Sequence, residues 1–456
     1  MRGQSPHPAP AIFYLLEAGL CALIVVTPLP FGSVGPAGRL AFELLALALT
    51  ALWMLAATRV EVALPPRAVS VALIGLLAIA TLQLLPLGAW TVSVLSPYTA
   101  ALRQGLDPVP DPTLSLASSA TASALRTGAA LVGIVFVATS VVAARGATRL
   151  AFTALFAASF QGLYGLLVFA SGTNRIWNVP NPAYTVSATG TFVNRNHFAG
   201  YLAATLPFGL GLVLTAVRRA RHGSRARGGL IAALGRGGSR ALLLGLVALT
   251  GASGLLLSFS RAGTALGLAA LAGTAGVLMR GKPLYRLATI AIVVAIVAVP
   301  LLDLGADHLA ARYAASGTEL TASGGRLNVA ADTLRMIAAF PVFGCGFGAF
   351  TWAFPAFSSP MLRLHYTFAH NDLLQLGAEG GLPALGLLTL ALAALSRSAF
   401  PALRGASDPL ATGAAFGLTA FLVHGLVDFN FHIPANAAIA ALLSGVLFGA
   451  SWKARS

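Results

Sequence analysis

The sequence predicts an all-α integral membrane protein of about twelve transmembrane helices, with a large outer loop before the tenth span. Three observations carry that expectation. Only 9% of the 456 residues are charged against 57% hydrophobic, and the mean hydropathy is +0.82, a surface too apolar for a soluble chain of this length. Apolar runs of helix-spanning length recur throughout, whereas a membrane barrel needs short alternating strands. The basic residues are also distributed unevenly across the runs.

The spans are expected near 12–30, 40–57, 69–87, 127–144, 150–170, 197–217, 241–259, 263–279, 287–303, 371–395, 409–424 and 433–451. The first run has no small-residue cleavage site and is followed by further spans, so it reads as a retained anchor. With the N-terminus inside, the cytoplasmic segments hold nineteen of the 29 Lys+Arg, against only Glu61 and Asp408. The outer segments are close to neutral. This asymmetry orients the chain with both termini cytoplasmic. It also makes the run RRARHGSRARGG at 218–229 an inner loop facing anionic lipid, with no interleaved aromatics to suggest a nucleic-acid arm.

Three outer segments are long: 88–126, 171–196 and 304–370. The first is Pro/Ser/Thr-rich, carries Asp107 and Asp111, and offers no motif. In the last, 325–339 reads as an amphipathic helix with Leu327, Ala330, Leu334 and Ile337 on one face and Asp332 and Arg335 on another, ended by Phe340-Pro341. Cys21 lies within the first span and Cys345 in the outer loop, too different in depth to pair.

The residues suited to chemistry crowd the outer side. Arg195 sits in GTFVNRNHFAGYL between Asn194 and Asn196. Arg261 sits in the short outer turn of LLLSFSRAGTALG, and Arg326 begins the amphipathic helix. Arginine at a membrane boundary is costly unless it snorkels or meets an anion, and guanidinium donors match phosphate oxygens while staying charged. His370, in FAHND at the head of the tenth span, has an imidazole suited to taking a proton from a sugar hydroxyl. Asn371 and Asp372 behind it suit a helix start. Glu379 lies nine residues further, about 13 Å along a helix. A carboxylate there must be paired, protonated or in a polar cavity: pairing with one of the arginines as a brace is favoured, with a protonated structural Glu as the near-equal alternative.

The other signals are weaker. FGCGFGAF lacks the strand–turn–helix context of a nucleotide loop, so its glycines read as a tight turn near substrate. Trp352, Phe354, Phe357, Tyr366 and Phe368 suit sugar stacking or an interfacial aromatic belt equally. His424, Asp428 and His432 are spaced by four, but Pro434 breaks the helix and no third ligand type is assured, so no metal site is expected and no cofactor is implied.

The Arg helix followed by PVFGCGFGAF and HNDLLQLGAEGGLPALGLL resembles the O-antigen ligase and polymerase superfamily, as do SFSRAG and FVNRNHFAGYL. The resemblance runs from about Gly190 to Leu388. It divides the chain into an N-terminal bundle (1–189), a catalytic region with its periplasmic loop 304–370 (190–395) and C-terminal helices (396–456). It implies a GT-C-like, metal-independent inverting glycosyltransferase of the bacterial inner membrane with a periplasmic site. Such an enzyme moves a glycan from an undecaprenyl-diphosphate carrier to a sugar hydroxyl of lipid A-core or of another lipid-linked glycan. By motif, Arg261 and Arg326 would hold the diphosphate and His370 would be the base. Arg195, Asn194, Asn196, Asn371 and Glu379 would line the substrate site. Membrane lipids, and export or chain-length proteins, are the other partners implied. Ligases often carry a histidine-rich loop before the catalytic histidine; here only His365 accompanies His370, which leaves polymerase open. The rival classes are a twelve-span secondary transporter and a non-catalytic subunit of a polysaccharide export complex. A transporter places ionisable residues near the midplane and shows matching halves, and neither is evident here.

Overall fold

The computed structural model describes residues 10–103, 112–173, 175–184, 186–222, 239–280, 325–359, 365–406 and 408–454. The expected span at 287–303, residues 223–229 of the basic run, Asp107, Asp111 and the loop parts 304–324 and 360–364 lie outside the described residues.

Apolar sequence with few prolines inside its runs folds as helix, since a chain in lipid must satisfy its backbone internally. The first helices are α1 (Ala11–Val26), α2 (Pro36–Ala57), α3 (Arg67–Leu84), the short α4 (Ala89–Leu95) and α5 (Pro97–Arg103), α6 (Ser118–Arg145) and α7 (Thr148–Ser171). After a two-stranded ribbon, β1 (Arg175–Ile176) and β2 (Val179–Pro180), come α8 (Arg195–His222), α9 (Ser239–Leu257) and α10 (Arg261–Leu278). The last are α11 (Arg326–Ala339), α12 (Phe350–Ala353), α13 (Asp372–Leu403), α14 (Pro409–His424) and α15 (Pro434–Lys453). Proline occupies the first turn of α2, α14 and α15, where its missing N–H costs nothing. Among the described residues nine helices are long and apolar enough to cross a membrane, and α1 and α14 are shorter apolar helices. The protein is a multi-pass membrane protein.

One hydrophobic core runs from Phe13 to Phe448, with α8 and α15 its most buried helices. Helices in lipid associate through close backbone approach at small residues. Gly417 and Gly413 of α14 lie directly on the carbonyls of Ala204 and Pro207 in α8, where any Cβ would clash. At the end away from the candidate site, Glu17 (3% exposed) accepts from Arg145 and Arg149, each at 2.7 Å. Cys21 and Cys345 are both free.

A second, smaller core joins two segments that look unrelated in the sequence. Tyr98 and Leu116 from the motif-poor 88–126 stretch pack with Val329, Met336, Phe340, Phe350 and Phe354. Within it the buried face of α11 is Val329, Asp332, Thr333 and Met336, while Leu327 and Leu334 are 59% and 56% exposed. Asp332 can turn inward because it pairs with Arg335 and accepts from the Ser359 amide and hydroxyl, both at 2.8 Å.

The glycine loop belongs to this assembly. Helix α13 breaks at Gly381 (φ 71°, ψ −173°), and residues 341–347 fill the break. Cys345 N–H donates to Ala378 O (2.9 Å), Gly346 N–H to Glu379 O (3.2 Å), and Leu382 N–H to Pro341 O (2.8 Å). Gln83 of α3, fully buried, donates through Nε2 to Phe343 O (2.5 Å) and Glu379 O (2.8 Å) and accepts from Phe347 N–H (3.0 Å). Gly344 (φ 66°) lies on the Glu379 carbonyl, where a side chain would have no room. The tight turn expected of FGCGFGAF is therefore present, but it is a lock on the broken helix.

Candidate functional site

His370 ends the loop that leads into α13 and holds a left-handed backbone (φ 52°), a strained state for a non-glycine residue. Asn371 follows as N-cap: its Oδ1 accepts from Leu374 N–H (2.9 Å) and its Nδ2 donates to Leu426 O (2.8 Å). Asp372 N–H donates to Gly425 O at 2.7 Å. These bonds tie the start of α13 to the connection 425–432 between α14 and α15.

That connection brings the site together. Phe429 stacks on Phe368 (centroids 4.5 Å apart) and meets the edges of His370 (4.9 Å) and His197 (4.6 Å). Beside it Asp428, 1% exposed, has its Oδ1 3.5 Å from His197 Nε2 and its Oδ2 3.9 Å from Arg326. Arg326 also donates to Val427 O at 2.7 Å. Burial alone would raise the Asp428 pKa, but His197, His424 and Arg326 outweigh it and hold the carboxyl well below the ordinary range. His370 moves the other way. Burial pushes its pKa down to about 4, against a smaller raising effect of Asp428, with Arg326 and His197 lowering it further. The ring is therefore neutral at physiological pH, and its Nδ1 is buried without a hydrogen-bond partner among the described residues.

The other expected arginines come to the same end. Arg195 opens α8 with its guanidinium 5.4 Å from the Tyr184 ring centre, two residues before His197. Arg261 opens α10 behind the Ser260 cap, and Gly263 one turn on packs against Ala199, placing this helix start beside the start of α8.

Several expected substrate contacts are already engaged in the fold. Asn194 Oδ1 accepts from Asn196 N–H (2.8 Å) at the start of α8, and Asn371 is committed to its cap. Glu379, 3% exposed, accepts from Gln375 Nε2 (2.8 Å) and Phe350 N–H (3.3 Å). This corrects the expectation of an arginine partner: the glycine lock covers Glu379 and supplies backbone donors in its place. The aromatics divide likewise. Phe354 is buried, Phe357 and Tyr366 pack on the small core, and Trp352 alone of the five is largely exposed, at 70%.

His424, Asp428 and His432 do not act as one ligand set. His432 turns away to Asp372, Nδ1 to Oδ1 3.3 Å, and among the described residues no three His, Cys, Asp or Glu side chains are placed to hold a metal ion. His197 and Asp428 are the residues that sequence reasoning passed over as site members. His197 lies in the RNHF stretch, and Asp428 in the His424–Asp428–His432 spacing, neither of which marks them as site residues by type alone.

A multi-pass helical membrane protein with arginines and a neutral histidine gathered at one end defines the class. Residues 246–389 match the O-antigen ligase family model, so this region of the chain is similar to that family. The matched region contains Arg261, Arg326, His370 and Glu379, whereas Arg195, His197 and Asp428 lie outside it. No curated protein matches the sequence.

Proposed function

We propose that the protein transfers a glycan from an undecaprenyl-diphosphate carrier to a sugar hydroxyl on the periplasmic face of the bacterial inner membrane. The observation that carries this reading is the meeting of Arg326 and His370, from two separate segments, at the buried carboxylate of Asp428 on a third. Arg261 and Arg326 hold the diphosphate, with Arg195 at the adjoining helix start. As the acceptor oxygen attacks the anomeric carbon, the bond to the diphosphate oxygen breaks with inversion. The departing oxygen gathers negative charge that the guanidinium groups neutralise. His370 takes the acceptor proton and Asp428 favours the resulting imidazolium. A ring with a pKa of about 4 is always available as a base but is a weak one. Charge stabilisation at the leaving group therefore carries more of the rate than proton removal.

The test is transfer by the purified protein from a lipid-diphosphate glycan. Arg261→Ala is expected to abolish turnover and His370→Ala to leave a trace; near-normal turnover in Arg261→Ala refutes the ranking. Deleting the gene separates the two family activities. Glycan stalled at one repeat unit marks a polymerase, and full-length glycan left on its lipid carrier marks a ligase.

A further inference from the structure

One arginine at this end of the molecule has no role in the scheme above. Arg39 lies in the first turns of α2, half-buried, with its Nε buried and without a hydrogen-bond partner among the described residues. The turn before α2 is pressed against the start of α15: a Cβ at Gly32 would sit 2.8 Å from Phe192 and 3.2 Å from Ile433. Ile433 follows His432, and Arg39 comes close enough to His432 to weigh on its charge.

His432 stands at the end of a row of rings. It lies 4.8 Å from Phe368, which stacks on Phe429 at 4.5 Å, which meets His370 at 4.9 Å. The two stacked phenyl rings run between two polar groups: His370 and His197, with Asp428 and Arg326, lie by Phe429, and His432, paired with Asp372, lies by Phe368. Asp372 does not satisfy Arg39, because its Oδ1 faces His432 at 3.3 Å and its Oδ2 accepts from Phe431 N–H at 3.3 Å.

A buried donor at a membrane boundary is costly when it has no acceptor. Guanidinium suits an oxyanion best, because two parallel N–H groups meet two oxygens at once. A neighbouring histidine adds a further donor. We infer that Arg39, with His432 beside it, forms a second oxyanion-binding site, for a phosphate or carboxylate group, at the opposite end of the Phe368–Phe429 stack from His370. The transferase reading is needed only to say where the oxyanion comes from, either the diphosphate of the lipid carrier or an acidic substituent on the acceptor glycan. A glycan lying along the edges of the two rings would offer a hydroxyl to His370 and an anionic group to Arg39.

The probe is inorganic diphosphate, titrated calorimetrically into the full chain in nanodiscs of uncharged lipid. Arg39→Gln is expected to weaken or remove one binding event by at least about tenfold, with the thermal midpoint unchanged. Arg39→Lys, which keeps the charge but loses the paired donors, is expected to fall between Arg39→Gln and wild type. It also serves as the reading should Arg39→Gln fold poorly. Wild-type diphosphate binding in both variants overturns the inference. Turnover then separates the sources: a raised KM for the lipid-diphosphate donor alone assigns the carrier, and a raised KM for the acceptor alone assigns the acidic substituent. Should the wild type transfer no glycan, the transferase reading fails while the diphosphate titration still decides the Arg39 site.

Discussion

Asp428→Asn removes one charge and little volume, and it tests how the site is organised. Two unit charges 3.9 Å apart interact by about 4 kcal/mol at an effective dielectric of 20. The Arg326 side chain is 41% exposed, so solvent screens much of that, and about 1–2 kcal/mol remains as the orienting effect. Asparagine keeps an oxygen for the Phe429 N–H, which Asp428 Oδ1 now accepts at 2.9 Å, so the connection should hold its shape. The expected loss is about 10- to 30-fold in kcat/KM, read by transfer from a lipid-diphosphate glycan in detergent or nanodiscs. If Asp428 acts by positioning Arg326, which both holds the diphosphate and neutralises its departing charge, the loss appears in kcat as well as in KM for the donor. It should also shrink sharply in an Arg326→Ala background, because the two residues would then share one effect. Full wild-type kcat/KM in Asp428→Asn, or losses that simply add in the double variant, would refute the reasoning.

Three further outcomes follow from the same geometry. Gln83→Ala leaves the Phe343 carbonyl and the Phe347 amide without partners and takes one of two donors from Glu379 O, and should cost about 3 kcal/mol, seen as a lowered thermal midpoint. Glu379→Gln keeps the shape of the covered carboxyl and should retain activity within about threefold, whereas a loss as deep as that of Arg261→Ala would restore Glu379 to the substrate site. His370 must be neutral to act, and its pKa is about 4, so its contribution to kcat/KM should hold steady down to about pH 5 and fall below it. For stability the sign is the same: the unfolded ring takes a proton near 6.5 and the folded ring only near 4, so this group destabilises the fold as pH drops through that window. A pH–rate limb near 6.5 would refute the burial of His370.

Much of the fold was legible because lipid imposes one local rule. Eleven of the expected spans fall on helices, from Ala11–Val26 to Pro434–Lys453, the helix start at Asp372 was readable from Asn371, and Arg326 begins its helix as expected. Long-range pairing was not legible. Nothing in the spacing of Gln83 shows that it reaches Phe343 and Glu379, more than 250 positions away. Nor does the periodicity of α11 reveal which face is inward, since an aspartate occupies the buried one through contacts with Ser359. The same limit explains the site. Arg326 and His370 stood out by residue type beside apolar runs. Asp428 and His197 gain their meaning only when the 425–432 connection folds across the starts of α8 and α13.

The charge balance of that arrangement favours an anionic ligand. Within the first group Asp428 is, among the described residues, the carboxylate paired with Arg326, and its neighbour His370 is held neutral by burial. That carboxylate orients the Arg326 guanidinium, and the helices that Arg195, Arg261 and Arg326 open all begin at the same end. The second group has the same form, with Asp372 spent on His432 and the Phe431 amide while Arg39 keeps a buried donor open. Among the described residues the acids of both groups are engaged in fixing geometry, and arginines stand beside them at the edge of the bilayer. A diphosphate carried on a lipid tail would meet that charge from the membrane side, and the incoming glycan from the aqueous side.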